Sequence, residues 1–184
     1  MNDIEFDFSD ILVRQNFIFQ NEEIKTECLK NHGSFSILGK KFGPFEKGKE
    51  YRLKFFIASP FIAEGVLKIA SSEKCDNLVV QRYAIAERDD QKLVRREKDH
   101  FLNMIKEFKV FMEKDVNKGV RPSVDMDRYK SYQINILDNR LLKLLKLTKT
   151  SLSPDNERRM TSSERILYSK VHTLITAWRS FFLT

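Results

Sequence analysis

The chain is poor in the residues that build covalent or metal-bound frameworks: it has two cysteines, Cys28 and Cys75, and three histidines among 184 residues. Two scattered cysteines make no disulfide framework. Nothing at the N-terminus joins a basic segment to an apolar run and a small-residue cleavage site, so secretion is not expected. Cys28 and His32 have the Cys-x3-His spacing of half a zinc site, but Cys75, His100 and His172 stand singly. A structural zinc needs four ligands, and they are not gathered here. No uncharged apolar stretch approaches the roughly 20 residues that span a bilayer. A phosphate-binding Gly-x-x-x-x-Gly-Lys loop, a Gly-x-Gly-x-x-Gly turn, His-Glu-x-x-His and Gly-x-Ser-x-Gly are all missing. These absences point away from an enzyme, a cofactor, a metal or a membrane. They place the protein in the cytoplasm, or in the nucleus if its source is eukaryotic.

What is present is unevenly distributed. Five of the six glycines and two of the four prolines lie in the first 70 residues, between short apolar runs. Phe17–Phe19, Ile24–Leu29, Ser34–Leu38, Tyr51–Ile57 and Val66–Ile69 are expected strands, because aromatic and β-branched side chains suit a pleated, half-buried surface. Asn31-His32-Gly33, Gly43-Pro44 and Lys47-Gly48 supply turns, and Ser59–Glu64 one helical turn. Polar Ser71–Asn77 marks the change to a helical period. The expected fold class is therefore α+β, with a small β-rich domain at 1–72 and an α-helical bundle domain at 73–184.

Four helices are expected in the second domain. The first runs from about Leu78 to Lys92, and the charged run Glu87–Lys98, with its paired Asp89 and Asp90, links it to the next. Phe101, Ile105, Phe108 and Met112 form one stripe ended by Gly119 and Pro122. Ile134, Leu137, Leu141 and Leu144 repeat the spacing between Val124 and Thr150. Thr161-Ser162-Ser163-Glu164 matches a capping box ahead of Leu167, Val171, Leu174, Trp178 and Phe181. Leu141, Leu142, Leu144, Leu145 and Leu147 point in more than one direction, and Phe181-Phe182 adds two adjacent rings. Four short helices bury about one stripe each among themselves, so the surplus predicts burial against another subunit. The interface candidates are Leu137, Leu141, Leu144, Leu145, Leu167, Val171, Leu174, Trp178 and Phe181.

Charge divides the chain in the same way. Residues 1–76 carry 11 Lys and Arg against 12 Asp and Glu, a net of −1, and the remainder carries 22 against 14, a net of +8. Lys143, Lys146 and Lys149 recur at three-residue steps and are candidate nucleic-acid contacts, as are Arg95-Arg96 and Arg158-Arg159. No aromatic residue interleaves with these lysines as a base-stacking platform would require. Solvated helix faces are the favoured account of them.

Taken in order, Asp10-Ile11-Leu12, the Gly43-Pro44-Phe45 turn with Gly48, the Tyr51–Ala58 passage, Gly65–Ile69 and the terminal helix with Leu167, Tyr168, Leu174, Ile175 and Trp178 resemble a GINS subunit. The resemblance is to the class with the β-domain ahead of the helical domain, and the absence of an extended tail is closest to the archaeal form. It departs from the family at Gln91–His100, which is charged where related subunits often have a proline. The resemblance implies a heterotetramer with a second GINS subunit, held by the helical domains. It further implies a non-catalytic scaffold role at replication forks, tethering the MCM helicase to a RecJ-like protein, with direct DNA contact left open. The alternative is a stand-alone nucleic-acid-binding module with a basic helical domain.

Overall fold

The computed structural model describes residues 2–183, with side chains described from Asp7 onward, and is mixed α and β. It divides into two compact units, one formed by Asn16–Lys74 and the other by Met1–Gln15 with Cys75–Thr184. This division differs from 1–72 and 73–184 at the N-terminal end. The chain begins with helix α1 (Asn2–Gln20), so Phe17–Phe19 is helical and not a strand. The physical reason lies in the residues before it. Phe8, Ile11, Gln15 and Phe19 step by three and four and face inward, with neither Gly nor Pro to interrupt them. A three-residue apolar run cannot distinguish a strand from the end of such a helix, and propagation adds a bond per residue once a helix has started. An Arg14–Asp10 pair at 2.6 Å lies along its surface.

In the β unit, strand β1 (Glu23–Cys28) lies between β4 (Glu50–Lys54) and β5 (Leu67–Ile69), antiparallel to both. Its alternation buries Ile24, Thr26 and Cys28, and the Thr26 hydroxyl donates to the Tyr51 carbonyl at 3.0 Å. The outward register pairs Lys25 with Glu50 at 2.6 Å and Lys68 with Glu27 at 3.0 Å. The strand expected over Tyr51–Ile57 stops at Lys54, opposite Glu23, because β1 offers no further partner. The chain turns directly into α2 (Phe55–Ala63), which buries Phe55, Ile57 and Ala58. A separate hairpin joins β2 (Phe35–Ile37) to β3 (Lys40–Phe42).

The Gly43-Pro44-Phe45 turn anchors this unit from within. Phe45 is 1% exposed and meets Tyr51 at 4.9 Å and Phe61 at 5.6 Å between ring centroids. Its backbone exchanges two hydrogen bonds with His32, and the Glu46 amide donates to the Tyr51 hydroxyl at 2.8 Å. Gly43 has φ +80°, and an added Cβ would sit 3.3 Å from the Gly33 carbonyl oxygen and the Ser34 Cα, so only glycine fits without strain. Gly48, also at positive φ, turns the chain so that its amide reaches the Cys28 carbonyl at 2.8 Å.

Five helices follow in the second unit. They are α3 (Asn77–Asp89), α4 (Phe101–Asn117), α5 (Ser123–Leu147), α6 (Pro154–Arg159) and α7 (Ser162–Leu183). The expected linker holds a 3-10 turn at Ser71–Glu73 and then Asp76, whose carboxylate accepts from the Val79 amide at 3.2 Å and caps α3. Helix α6 occupies what reads as a connection, started by the Ser153 cap and by Pro154 at a position where its missing amide costs nothing. The stripe foreseen on α4 is buried as expected, with Met104 added to it. Under it the Tyr129 hydroxyl of α5 donates to the Ile105 carbonyl at 3.0 Å and lies 3.9 Å from the Cys75 sulfur.

Burial pushes the Cys75 thiol up to about 11, with the nearby Tyr129 hydroxyl only partly opposing that shift. The native state therefore keeps a proton that the unfolded chain loses near about pH 8.5, and the stability this gives is lost as pH rises through the folded value. Urea titrations should show Cys75→Ala losing less stability than the parent between about pH 8.5 and 11, by on the order of 1 to 3 kcal/mol. Equal declines in the two proteins would contradict this.

Candidate subunit interface

Helix α5 packs against α3, α4 and α7 and is the central element of the helical unit. Its inward stripe is Met126, Tyr129, Ile136, Arg140 and Leu144, so an arginine occupies a core register. Arg140 is 1% exposed, and all five of its N–H donors are used. Nε and Nη2 form a fork on Glu164 at 2.6 and 2.7 Å, and Nη1 meets Glu87 at 2.7 Å. The remaining two reach the Val94 and Arg159 carbonyls at 3.0 Å. Burial works against this charge, but the paired Glu164 and Glu87 carboxylates outweigh it and hold the Arg140 pKa above its ordinary value. Glu164 also accepts from the Thr161 amide at 2.7 Å, so the capping-box carboxylate closes the α7 N-terminus and fixes Arg140 together.

Glu87 gathers three cations, two from α5 and one from the connection after α3. Besides Arg140 it takes Arg96 at 3.0 Å and Lys143 at 2.8 Å, with the Val94 amide at 3.3 Å. Lys143 also donates to the Glu87 and Lys92 carbonyls. The Arg96 guanidinium lies over the Tyr83 and Phe101 rings at 4.7 and 4.9 Å. Burial lowers its pKa, and the Glu87 carboxylate offsets only part of that.

These contacts correct three expectations. Glu87 is fully buried and does not belong to a solvated linking run. Lys143 and Arg96 are committed to Glu87, so neither is free to meet phosphate. Arg159 is likewise engaged, with Asp155 at 3.1 Å and the Leu93 carbonyl at 3.2 Å. Lys146 and Lys149 remain exposed on α5 and beyond its end.

The interface candidates separate in the same way. Leu144 is 3% exposed and packs with Leu93, Met160 and Tyr168 in the chain's own core, with Leu167 against that cluster. Neither is an outward interface residue, because each lies at the level where α7 runs beside α5. Val171 is half-buried one turn further on. By contrast Ile134, Leu137, Leu141 and Leu145 step by three, four and four and form a second, exposed stripe on α5, roughly 100° round from the first.

Helices α5 and α7 run in the same direction. Arg140 meets Glu164, and further along the His172 ring bonds the Thr148 carbonyl at 2.8 Å, one residue past the end of α5. Helix α7 therefore continues about 16 Å past its neighbour. On that projecting end Leu174, Trp178, Phe181, Phe182 and Leu183 are exposed, Trp178 at 65% and Phe181 at 77%. The Trp178 and Phe181 rings each lie 5.1 Å from that of Phe182. Close to its middle α7 is tied to α1 by Lys170 and Asp7 at 3.1 Å.

No protein-family model matches this chain, and no curated protein matches it.

Two apolar faces, one on α5 and one on an unsupported helix end, carry more large side chains than solvent exposure favours. The arrangement offers burial to another helix. Among the described residues no three metal-ligating side chains come together. Cys28 is buried with its thiol on the Lys30 carbonyl at 3.0 Å, and His32 turns Nδ1 to the Gly33 carbonyl at 2.8 Å. The ionic network was missed by sequence reading. Its signal was nonetheless present: Val80, Ala84 and Glu87 on α3, and Ile136, Arg140 and Leu144 on α5, place a charge at core spacing.

Removing one partner from a buried pair leaves the others uncompensated. Arg140→Ala should lower stability in urea by about 3 to 5 kcal/mol, whereas Lys146→Ala should change it by less than about 0.5 kcal/mol. Similar losses from both would contradict the network's role. Leu144→Asp should unfold the chain, since a buried unpaired carboxylate costs several kcal/mol. Leu174→Asp should keep the thermal midpoint and reduce self-association or partner binding by light scattering; loss of folding in Leu174→Asp would reverse the assignment.

Proposed function

We propose that the protein is a non-catalytic scaffold subunit of the GINS type, supporting the MCM helicase at DNA replication forks. The observation that carries this reading is the apolar, projecting end of α7, with Leu174, Trp178 and Phe181 exposed, together with the second, separate α5 stripe of Leu137, Leu141 and Leu145. Such surface is stable in water only when another chain covers it. The family order of a small β module ahead of a helical domain is read here as the Asn16–Lys74 unit ahead of helices α3 to α7, with α1 as a leading helix.

On this reading the helical domain joins a second GINS subunit in a heterotetramer, in the cytoplasm of an archaeal cell. The assembly holds MCM and a RecJ-like protein at high effective concentration, and the chain itself performs no chemistry. Among the described residues no helix is long and apolar enough to cross a membrane.

The test is to co-express the chain with a GINS-like partner and add the complex to an MCM ATPase and helicase assay. Stimulation is expected with the complex, and it should fall together with complex formation when Trp178 and Phe181 are both replaced by Ser. ATP hydrolysis or DNA cleavage by the purified chain, abolished by a point change in it, would overturn the scaffold reading.

A further inference from the structure

The division of the chain changes the charge of its small unit. Asp3, Glu5, Asp7 and Asp10 fall outside Asn16–Lys74, which carries ten Lys and Arg against seven Glu, a net of +3. Three of its seven carboxylates are also paired within the unit. Glu50, Glu46 and Glu27 pair with Lys25, Lys49 and Lys68 at 2.6, 2.7 and 3.0 Å. Lys30, Lys40, Lys41 and Lys47 have no carboxylate within ion-pair distance among the described residues, and all four are exposed. They come from adjoining segments. Lys30 precedes Asn31, whose side chain accepts from the Lys47 amide at 2.7 Å, and His32 then pairs with Phe45 just after the β2–β3 hairpin that holds Lys40 and Lys41.

Aromatic rings interleave with these charges. Phe35 and Phe42 lie directly opposite each other at the hairpin base, with ring centroids 5.5 Å apart and planes within 20°. Phe35 also meets His32 at 6.4 Å and Phe61 at 5.0 Å. The Lys40 ammonium stands 5.7 Å over the Phe42 ring, on the face that Ile37 shares.

The hairpin tip is unusual. Leu38 and Gly39 both have positive φ, +50° and +75°, the conformation of a two-residue turn that favours Asn-Gly. A leucine there is strained, and its side chain is fully exposed. Such a residue stabilises neither the turn nor a core, so its value lies in what it meets outside.

We infer that the β2–β3 hairpin, with Lys30 and Lys47 beside its base, binds single-stranded nucleic acid. Lys40, on the face of the Phe35–Phe42 pair, and Lys30 and Lys47 beside the hairpin base take backbone phosphates, with Lys41 adding charge from the opposite face, while Leu38, Ile37 and the partly exposed Phe35–Phe42 pair give apolar and ring surface to bases. An acidic peptide would satisfy the lysines but gain little from the rings. This site is separate from the α5 and α7 faces and does not depend on the scaffold reading.

The test is fluorescence anisotropy of the full chain with labelled oligodeoxythymidylate of about 30 nucleotides in about 50 mM salt. Saturable binding is expected, weakened on the order of tenfold by Lys40→Glu with Lys41→Glu and again by raising salt to about 200 mM. Leu38→Asn relieves the turn, so it should raise the thermal midpoint while weakening binding a few-fold. No saturable binding, or a loss confined to Lys146→Glu with Lys149→Glu on α5, would overturn the inference. So would polyglutamate binding as tightly as the oligonucleotide. Partner binding measured by sizing on the same hairpin variants should be unchanged, so that failure here and failure of the scaffold reading are distinguishable.

Discussion

The buried Arg140 guanidinium is the constraint on which the helical unit depends. It joins Glu87 of α3 to Glu164 of α7, and through the Val94 and Arg159 carbonyls it holds the connection after α3 and the end of α6. A charge in that position is tolerable only because every donor has an acceptor and both carboxylates are fixed by further bonds. The network therefore specifies an arrangement. Hydrophobic packing alone would leave α5 free to rotate, since apolar side chains occupy well over half of its surface near Leu141–Leu145.

Fixing that rotation decides which leucines face solvent. With Arg140 and Leu144 turned inward, Leu137, Leu141 and Leu145 must lie to the side, and Lys143 is drawn to Glu87. The same fork seats the first turn of α7 beside Arg140. The helix can then pack for only about three turns before α5 ends, and its aromatic end is left without support. A single ionic contact thus links core specificity to the surface offered to a partner. In the β unit the corresponding role belongs to Phe45, which gathers His32, Phe35, Tyr51 and Phe61 and seats the base of the hairpin.

Much of this was legible in the residues. The β1, β2 and β5 strands, the α4 stripe and the capping box before α7 each have a local signal: alternation, three-and-four spacing, or a reciprocal cap. The N-terminal helix was not legible because Phe17-Ile18-Phe19 satisfies strand and helix patterns alike. The candidate interface was half legible. Leu174, Trp178 and Phe181 are exposed as foreseen, but Leu144 lies in the core and Lys143 in the network. On a helix rich in leucine, spacing identifies stripes without saying which one a neighbour covers.

The sequence by itself determined the α4, α5 and α7 helices and the β1, β2 and β5 strands to within a few residues, because caps, glycines and hydrophobic period act locally. It also determined that apolar surface would exceed what the helices can hide. Only the tertiary structure decided that Glu87, Arg140 and Glu164 meet, since their contacts join residues 24 and 53 positions apart. It likewise decided that Asp7 and Asp10 group with the helical unit, while Lys30, Lys40, Lys41 and Lys47 have no carboxylate within ion-pair distance among the described residues. Charge along a chain is a sum, whereas the field a partner meets depends on which carboxylates the fold brings within range.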